Sequence, residues 1–165
     1  GDAAVVHGGP ERRREVMADT TLGVGAAVAV GLGVLGLGLG AFAAASLPWR
    51  VALGLAVAGE VGAKLSMVVL AGAGEASHEG LGSTFTGAGP GTVLVGLVLA
   101  APAAAATWPA PAAAAAVVAG PVLALLLVAW ARRNLGGVNG DVFGATNELA
   151  RVVALHAGVV TWTLS

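Results

Sequence analysis

Cysteine is absent from the 165-residue chain, which excludes disulfides, thiolate metal sites and cysteine nucleophiles and leaves no mark of a redox compartment. Charge is scarce. Lys and Arg number 8 and Asp and Glu 9, together 10% of the residues, against about 25% in an ordinary soluble domain. The net charge of −1 offers no basic surface, so nucleic acid is set aside as a partner. The opening residues, GDAAVVHGGPERRREV, contain no apolar core of a signal peptide. They also lack an initiator Met, and the chain is expected to be the C-terminal part of a longer one.

What is abundant is apolar. Hydrophobic residues make up 57% of the chain, the mean hydropathy is +0.89, and glycine takes 27 positions. This excludes a water-soluble enzyme, and glycine at that density permits close helix packing in lipid. At roughly 20 residues per crossing, the length suits about five helices plus loops. The expected fold is therefore all-α, a polytopic membrane helical bundle of about five transmembrane helices in one domain, residues 1–165, in the cell membrane and in contact with lipid. A homo-oligomer is compatible with such a surface.

Charge-free stretches place the spans at about 21–47, 51–73, 92–107, 112–131 and 141–164. The first ends at Pro48-Trp49-Arg50, with Trp49 as an interfacial anchor. Gly80 to Ala131 carries no charge and is divided by Trp108-Pro109-Ala110-Pro111, where two prolines remove amide donors and force a turn. Five spans put the segments 1–19, 74–91 and 132–140 on one side. That side holds Arg12, Arg13, Arg14, Arg132 and Arg133, and the other only Arg50. The positive-inside rule makes the three segments cytoplasmic, and nearly all the polar residues lie in them.

In the first segment, Asp2 and Asp19 flank Glu11-Arg12-Arg13-Arg14-Glu15. Carboxylates at the mouth of a bundle suit Mg²⁺, which takes oxygen ligands and is commonly held by one or two carboxylates plus substrate phosphates. The competing reading makes Asp19 an N-cap and the arginines topology anchors. In the second segment, Glu75-Ala-Ser-His78-Glu79-Gly80-Leu-Gly82-Ser83-Thr84, the glycines allow close backbone approach and the Ser and Thr groups can cradle phosphate or ribose, with His78 a candidate base. A solvated loop is the alternative.

The third segment is the most specific: Arg132-Arg133-Asn-Leu-Gly136-Gly137-Val-Asn-Gly-Asp141. Two arginines can clamp a diphosphate, and Asp141 at a helix start can hold a metal or cap the helix. Asp141 and Glu148, seven residues apart, share one face of the last helix. Glu60 and Lys64, at i and i+4 in the second span, are expected to pair and to face the bundle interior, since a lone charge at mid-bilayer is costly. His156 is expected to be a core histidine bonded across helices.

The segments Glu15-Val-Met-Ala-Asp19-Thr-Thr-Leu-Gly23, Glu79-Gly-Leu-Gly-Ser-Thr-Phe85 and Arg132-Arg133 through Gly-Gly-Val-Asn-Gly-Asp141-Val-Phe-Gly-Ala145 together resemble the cobalamin synthase family, adenosylcobinamide-GDP ribazoletransferase, over almost the whole chain. The resemblance implies a Mg²⁺-dependent membrane enzyme joining adenosylcobinamide-GDP to α-ribazole or its 5′-phosphate with release of GMP. The family's His-Leu-Asp-Gly-Leu-Ala-Asp motif would lie before Gly1, with Asp2 matching its last acidic member. Thr20-Thr21 stands where many members have Ser-Arg. Under this resemblance, Asp2 and Asp19 are candidate metal ligands. Asp19, Asp141 and Glu148 are candidate catalytic groups. Glu79, Gly80, Gly82, Ser83, Arg132, Arg133, Gly136 and Gly137 are candidate substrate contacts. A phosphotransferase of lipid headgroup synthesis would carry its own aspartate signature, which residues 1–165 lack, and a transporter would put its polar site near the midplane rather than at one face.

Overall fold

The computed structural model describes residues 1–18, 23–79 and 81–165. Among them, eight helices form: α1 (Asp2–Val5), α2 (Pro10–Ala18), α3 (Val24–Ala45), α4 (Trp49–Ala73), α5 (Leu81–Phe85), α6 (Gly89–Ala104), α7 (Ala112–Leu135) and α8 (Gly140–Leu164). No strand forms among the described residues beyond the isolated bridge between Ala76 and Val138. In lipid a backbone must satisfy its own hydrogen bonds, which leaves helix as the form for such apolar segments. Three helices among the described residues, α3, α4 and α7, are long and apolar enough to cross a membrane. The 16 residues of α6 reach only about 24 Å at 1.5 Å per residue, short of the ~30 Å hydrocarbon core. The 25 residues of α8 reach farther but carry Asp141, Glu148 and Arg151 in their first half.

The centre of the bundle is the crossing of α4 and α7, built from small residues at fourfold spacing: Gly54, Ala58, Gly62 and Ser66 on one, Ala112, Ala116, Gly120 and Ala124 on the other, all buried. A Cβ at Gly120 would lie 2.4 Å from the Gly62 carbonyl oxygen, and one at Gly62 would lie 2.7 Å from that of Ala116. The two backbones therefore touch, as small residues allow in helices that have no hydrophobic drive to associate within lipid. The second half of α8 lies over this crossing. A Cβ at its Gly158 would meet Leu55 Cδ2 at 2.8 Å. α3 rests on α8 in turn through Gly36 and Gly40, facing Val152 and Leu155. Leu32, Leu35, Leu39 and Phe42 of α3, Leu94 and Val98 of α6 and Leu125 and Leu126 of α7 all turn outward. That is the surface of a multi-pass membrane protein, apolar where lipid would lie.

The segments expected to be loops hold more helix than the hydropathy pattern suggests. α2 begins with Pro10 at its first position, a favoured place because no amide bond is lost there. α7 runs past the expected end at 131, so Arg132 and Arg133 stand in its last turn rather than in a loop. Arginine is a good helix former and its charge complements the C-terminal dipole. What stops α7 is Gly136 in the left-handed conformation, φ +76°. At the opposite end, Thr107 holds the proline turn: its hydroxyl donates to the Ala110 carbonyl at 3.0 Å and accepts from the Ala113 amide at 2.9 Å. That bond opens α7 where Pro111 has no side-chain cap to offer.

Candidate functional site

The three polar segments come together at one end of the bundle, fastened mainly by backbone. The Val138 amide donates to the Glu75 carbonyl at 2.7 Å and the Ser77 amide to the Val138 carbonyl at 3.0 Å. Gly137, φ +146°, makes this possible, because a Cβ there would sit 2.5 Å from the Glu75 carbonyl oxygen. Gly136 and Gly137 thus have packing duties, one ending α7 and one letting two loops touch. Arg132 works in the same joint, its Nη2 donating to the Ala73 carbonyl at the end of α4 (2.9 Å) and to Glu75 Oε1 (3.3 Å). Arg133 and Glu79 are exposed and have no hydrogen-bond or ion-pair partner among the described residues. Gly82 and Ser83 lie in α5. Asp19 and Gly80 lie outside the described residues.

Asp141 does not cap α8. Asn139 does, accepting from the Val142 amide at 3.0 Å, while its Nδ2 reaches Met17 Sδ of α2 at 4.0 Å. Asp141 stands exposed in the first turn between two adjoining cavities. One, of about 430 Å³, is lined by Arg14, Met17, His78, Asn139, Gly140 and Asp141. The other, of about 530 Å³, is largely apolar, and its only acidic groups among the described residues are Asp2 and Asp141. Asp2 is fixed across the start of α3, its two oxygens accepting from the amides of Gly23 (3.0 Å) and Ala26 (3.2 Å). Arg13 closes the back of α1 through the Ala3 carbonyl at 2.5 Å. Arg14 carries no ion pair among the described residues, and its Nη1 would lie 3.6 Å from a Cβ placed on Gly136. His78 Nδ1 shares a 2.9 Å hydrogen bond with the Ser77 hydroxyl, which leaves Nε2 for another partner.

Of the face expected to join Asp141 to Glu148, Asp141 and Ala145 line the larger cavity. Glu148 bonds instead to Asn147 and, through both oxygens, to Arg151 Nη1 at 3.1 and 3.2 Å. Arg151 also holds Glu60 with two bonds of 2.8 and 2.9 Å. Lys64 pairs with Glu60 at 3.0 Å, as its i and i+4 spacing suggests, and donates to Asn147 Oδ1 at 2.9 Å. The expectation that this pair is buried in the interior needs correction. Both side chains are about half exposed, because the α4 face that packs on α7 is the glycine and alanine stripe, and Glu60 and Lys64 lie round the helix from it, in an open cleft toward α6 and α8. His156 is bonded across helices to the Gly36 carbonyl at 2.9 Å.

Sequence reasoning passed over Arg14, read only as one of a basic cluster, and over Arg151, although it stands three residues after Glu148. No three His, Asp or Glu side chains gather as a metal site among the described residues. Two carboxylates on one cavity, with an arginine and a histidine on the adjoining one, still match what a cation and a diphosphate need when the substrate's own phosphates complete the coordination.

Fold and site together define a helical membrane protein with Arg14, His78, Asp2 and Asp141 gathered around two adjoining cavities at one end of its bundle. The family model described as cobalamin-5-phosphate synthase matches residues 1–159. The chain belongs to that family. It is 53% identical over 99% of its length to adenosylcobinamide-GDP ribazoletransferase of Halobacterium salinarum, covering 83% of that protein. With the proteins of the same name from Halorubrum lacusprofundi and Methanosarcina mazei it shares 51% and 32% identity, covering 67% and 64% of them. No solved structure matches the chain. Membership favours a cobalamin transferase over a lipid headgroup phosphotransferase or a transporter.

Proposed function

We propose that this chain joins adenosylcobinamide-GDP to α-ribazole or its 5′-phosphate at the cavities around Asp141, releasing GMP. A ribose hydroxyl of the acceptor attacks the phosphorus that carries the cobinamide. The new P–O bond forms as the bond to GMP breaks, and the hydroxyl proton passes to a base on the protein. Such a step needs alignment and charge neutralisation far more than covalent help. Asp2 and Asp141 are the groups to hold Mg²⁺ with the diphosphate, and the ion when bound supplies charge neutralisation on the phosphoryl oxygens. Arg14, which lines the smaller cavity, and Arg133, in the last turn of α7, are engaged by no acid of the described residues and are the candidate groups to meet phosphate charge. His78 Nε2 is the base the geometry favours, held in orientation through Nδ1 by Ser77. The cytoplasm is the side supported for this end, which carries five arginines against Arg50 at the other.

The observation that carries this reading is Asp141, which lines both cavities yet is free of the capping duty that its place in the sequence suggests. Asp141→Asn therefore removes a charge and no cap. GMP release from adenosylcobinamide-GDP and α-ribazole is expected to fall by about 10²–10³-fold, the scale of losing one preorganised electrostatic contact. Thermal stability should stay within about 0.5 kcal/mol of the parent. Near-normal release would remove Asp141 from the chemistry.

A further inference from the structure

A third cavity, of about 460 Å³, adjoins the polar one and shares Gly140 with it. Its wall is made by Met67, Val68 and Ala71 of α4, Phe85 of α5, and Phe143 and Gly144 of α8. The one hydroxyl on it, that of Thr92, already donates to the Ala88 carbonyl at 2.8 Å. Among the described residues the wall therefore offers no free polar side chain, which disfavours phosphate, sugar, or an amide-bearing ring. Phe143 is buried, whereas Phe85 is 61% exposed, an aromatic ring left open at the rim; the two are 6.2 Å apart and tilted by 58°.

The glycines of α8 give a second observation. Gly158 is forced by packing, since a Cβ there meets Leu55 at 2.8 Å, but a Cβ at Gly140 or Gly144 meets nothing within 4 Å. Helix interiors disfavour glycine, and Gly144 stands inside α8 without a packing reason. What a side chain at either position would fill is the cavity itself and its junction with the site.

We infer that this apolar cavity receives the aromatic base of the acceptor nucleoside, a flat ring set between Phe85 and the α4 wall, so that the attached ribose emerges past Gly140 beside Asp141. The assignment rests on the transferase reading above and deepens it. A cavity in the ordinary range for small ligands, lined by apolar and aromatic groups beside a few convergent polar ones, is what such a base needs. Guanine, the other base present in the reaction, presents a hydrogen-bonding edge on most of its perimeter and would leave it unmet against this wall. The base of α-ribazole, a benzimidazole, has a single ring-nitrogen acceptor and leaves far less unmet. The cavity thus also separates acceptor from donor.

The test uses the full-length membrane protein in nanodiscs and two readouts: equilibrium binding of α-ribazole without donor, and KM for each substrate from GMP release. Gly144→Leu fills the cavity and is expected to weaken α-ribazole binding and raise its KM by about tenfold or more, the scale of overfilling or losing apolar contact in a pocket. The KM for adenosylcobinamide-GDP should not move. Phe85→Ala, at an exposed position that cannot unfold the bundle, should weaken α-ribazole binding severalfold, and Phe85→Trp should preserve it. Wild-type binding by both Gly144→Leu and Phe85→Ala, as expected if the cavity holds a lipid acyl chain, would overturn the assignment while leaving the transferase reading intact. A rise in KM for the donor alone would do the same. A parent protein that releases no GMP with both substrates and Mg²⁺ would overturn the transferase reading itself.

Discussion

Arg151→Met tests the cluster of charges halfway along α4 and α8. In the parent, Glu60 and Glu148 balance Lys64 and Arg151, so the group is neutral, and Arg151 supplies two bonds to Glu60 and two to Glu148. Removing it leaves Glu60 with Lys64 alone, Glu148 with Asn147 alone, and one net negative charge near mid-span. A central charge costs roughly 2.5–3.5 kcal/mol on insertion scales, whereas polar contacts between membrane helices average about 0.6 kcal/mol. Side chains of Arg151 and Glu60 are 33% and 46% exposed to the cleft, so partial solvation lowers the figure, and a loss of about 2 kcal/mol is expected. Glu60→Gln in the same protein restores neutrality, and the double variant should regain about half of that loss, giving a coupling of about 1 kcal/mol plus whatever Glu60→Gln costs alone. Unfolding in mixed micelles over the four proteins of the cycle measures this. Additive losses would show that the two groups do not interact, and a loss under about 0.5 kcal/mol for Arg151→Met would show that water fills the cleft. Lys64→Ala should cost less than Arg151→Met, because Lys64 holds Glu60 through a single contact.

Gly120→Ala forces a Cβ to 2.4 Å from the Gly62 carbonyl and must part α4 from α7. A loss of about 1–3 kcal/mol in thermal unfolding is expected, with Gly31→Ala, where a Cβ meets nothing within 4 Å, near the parent value. An unchanged melting profile for Gly120→Ala would mean that the two backbones do not touch. For orientation, a cysteine in place of exposed Glu79 should react with an impermeant thiol reagent only after cells are opened. Labelling in intact cells would turn the site end outward.

The sequence alone determined the class of fold. Hydropathy this high, with charge this scarce, leaves only a helical bundle in lipid, because no other open backbone form meets its own hydrogen bonds there. It determined where the chain turns between its apolar stretches, since Pro48, Pro109 and Pro111 remove donors there. It marked the Glu60 and Lys64 pair through helical spacing and the site segments through their residue types. The division of labour within those segments came only with tertiary structure. Asn139 and Asp141 are both able to cap, and only the placed amide of Val142 shows that Asn139 does it and frees Asp141. Gly136 and Gly137 look alike in the chain, yet one ends α7 and the other admits a neighbouring loop. Arg14 became distinct from Arg12 and Arg13 once Glu15 took Arg12 and the Ala3 carbonyl took Arg13. Local periodicity fixes which residues share a helix face, but which face meets another helix, and which charge meets which, depends on contacts between residues as distant as Glu60 and Arg151 that no short window contains.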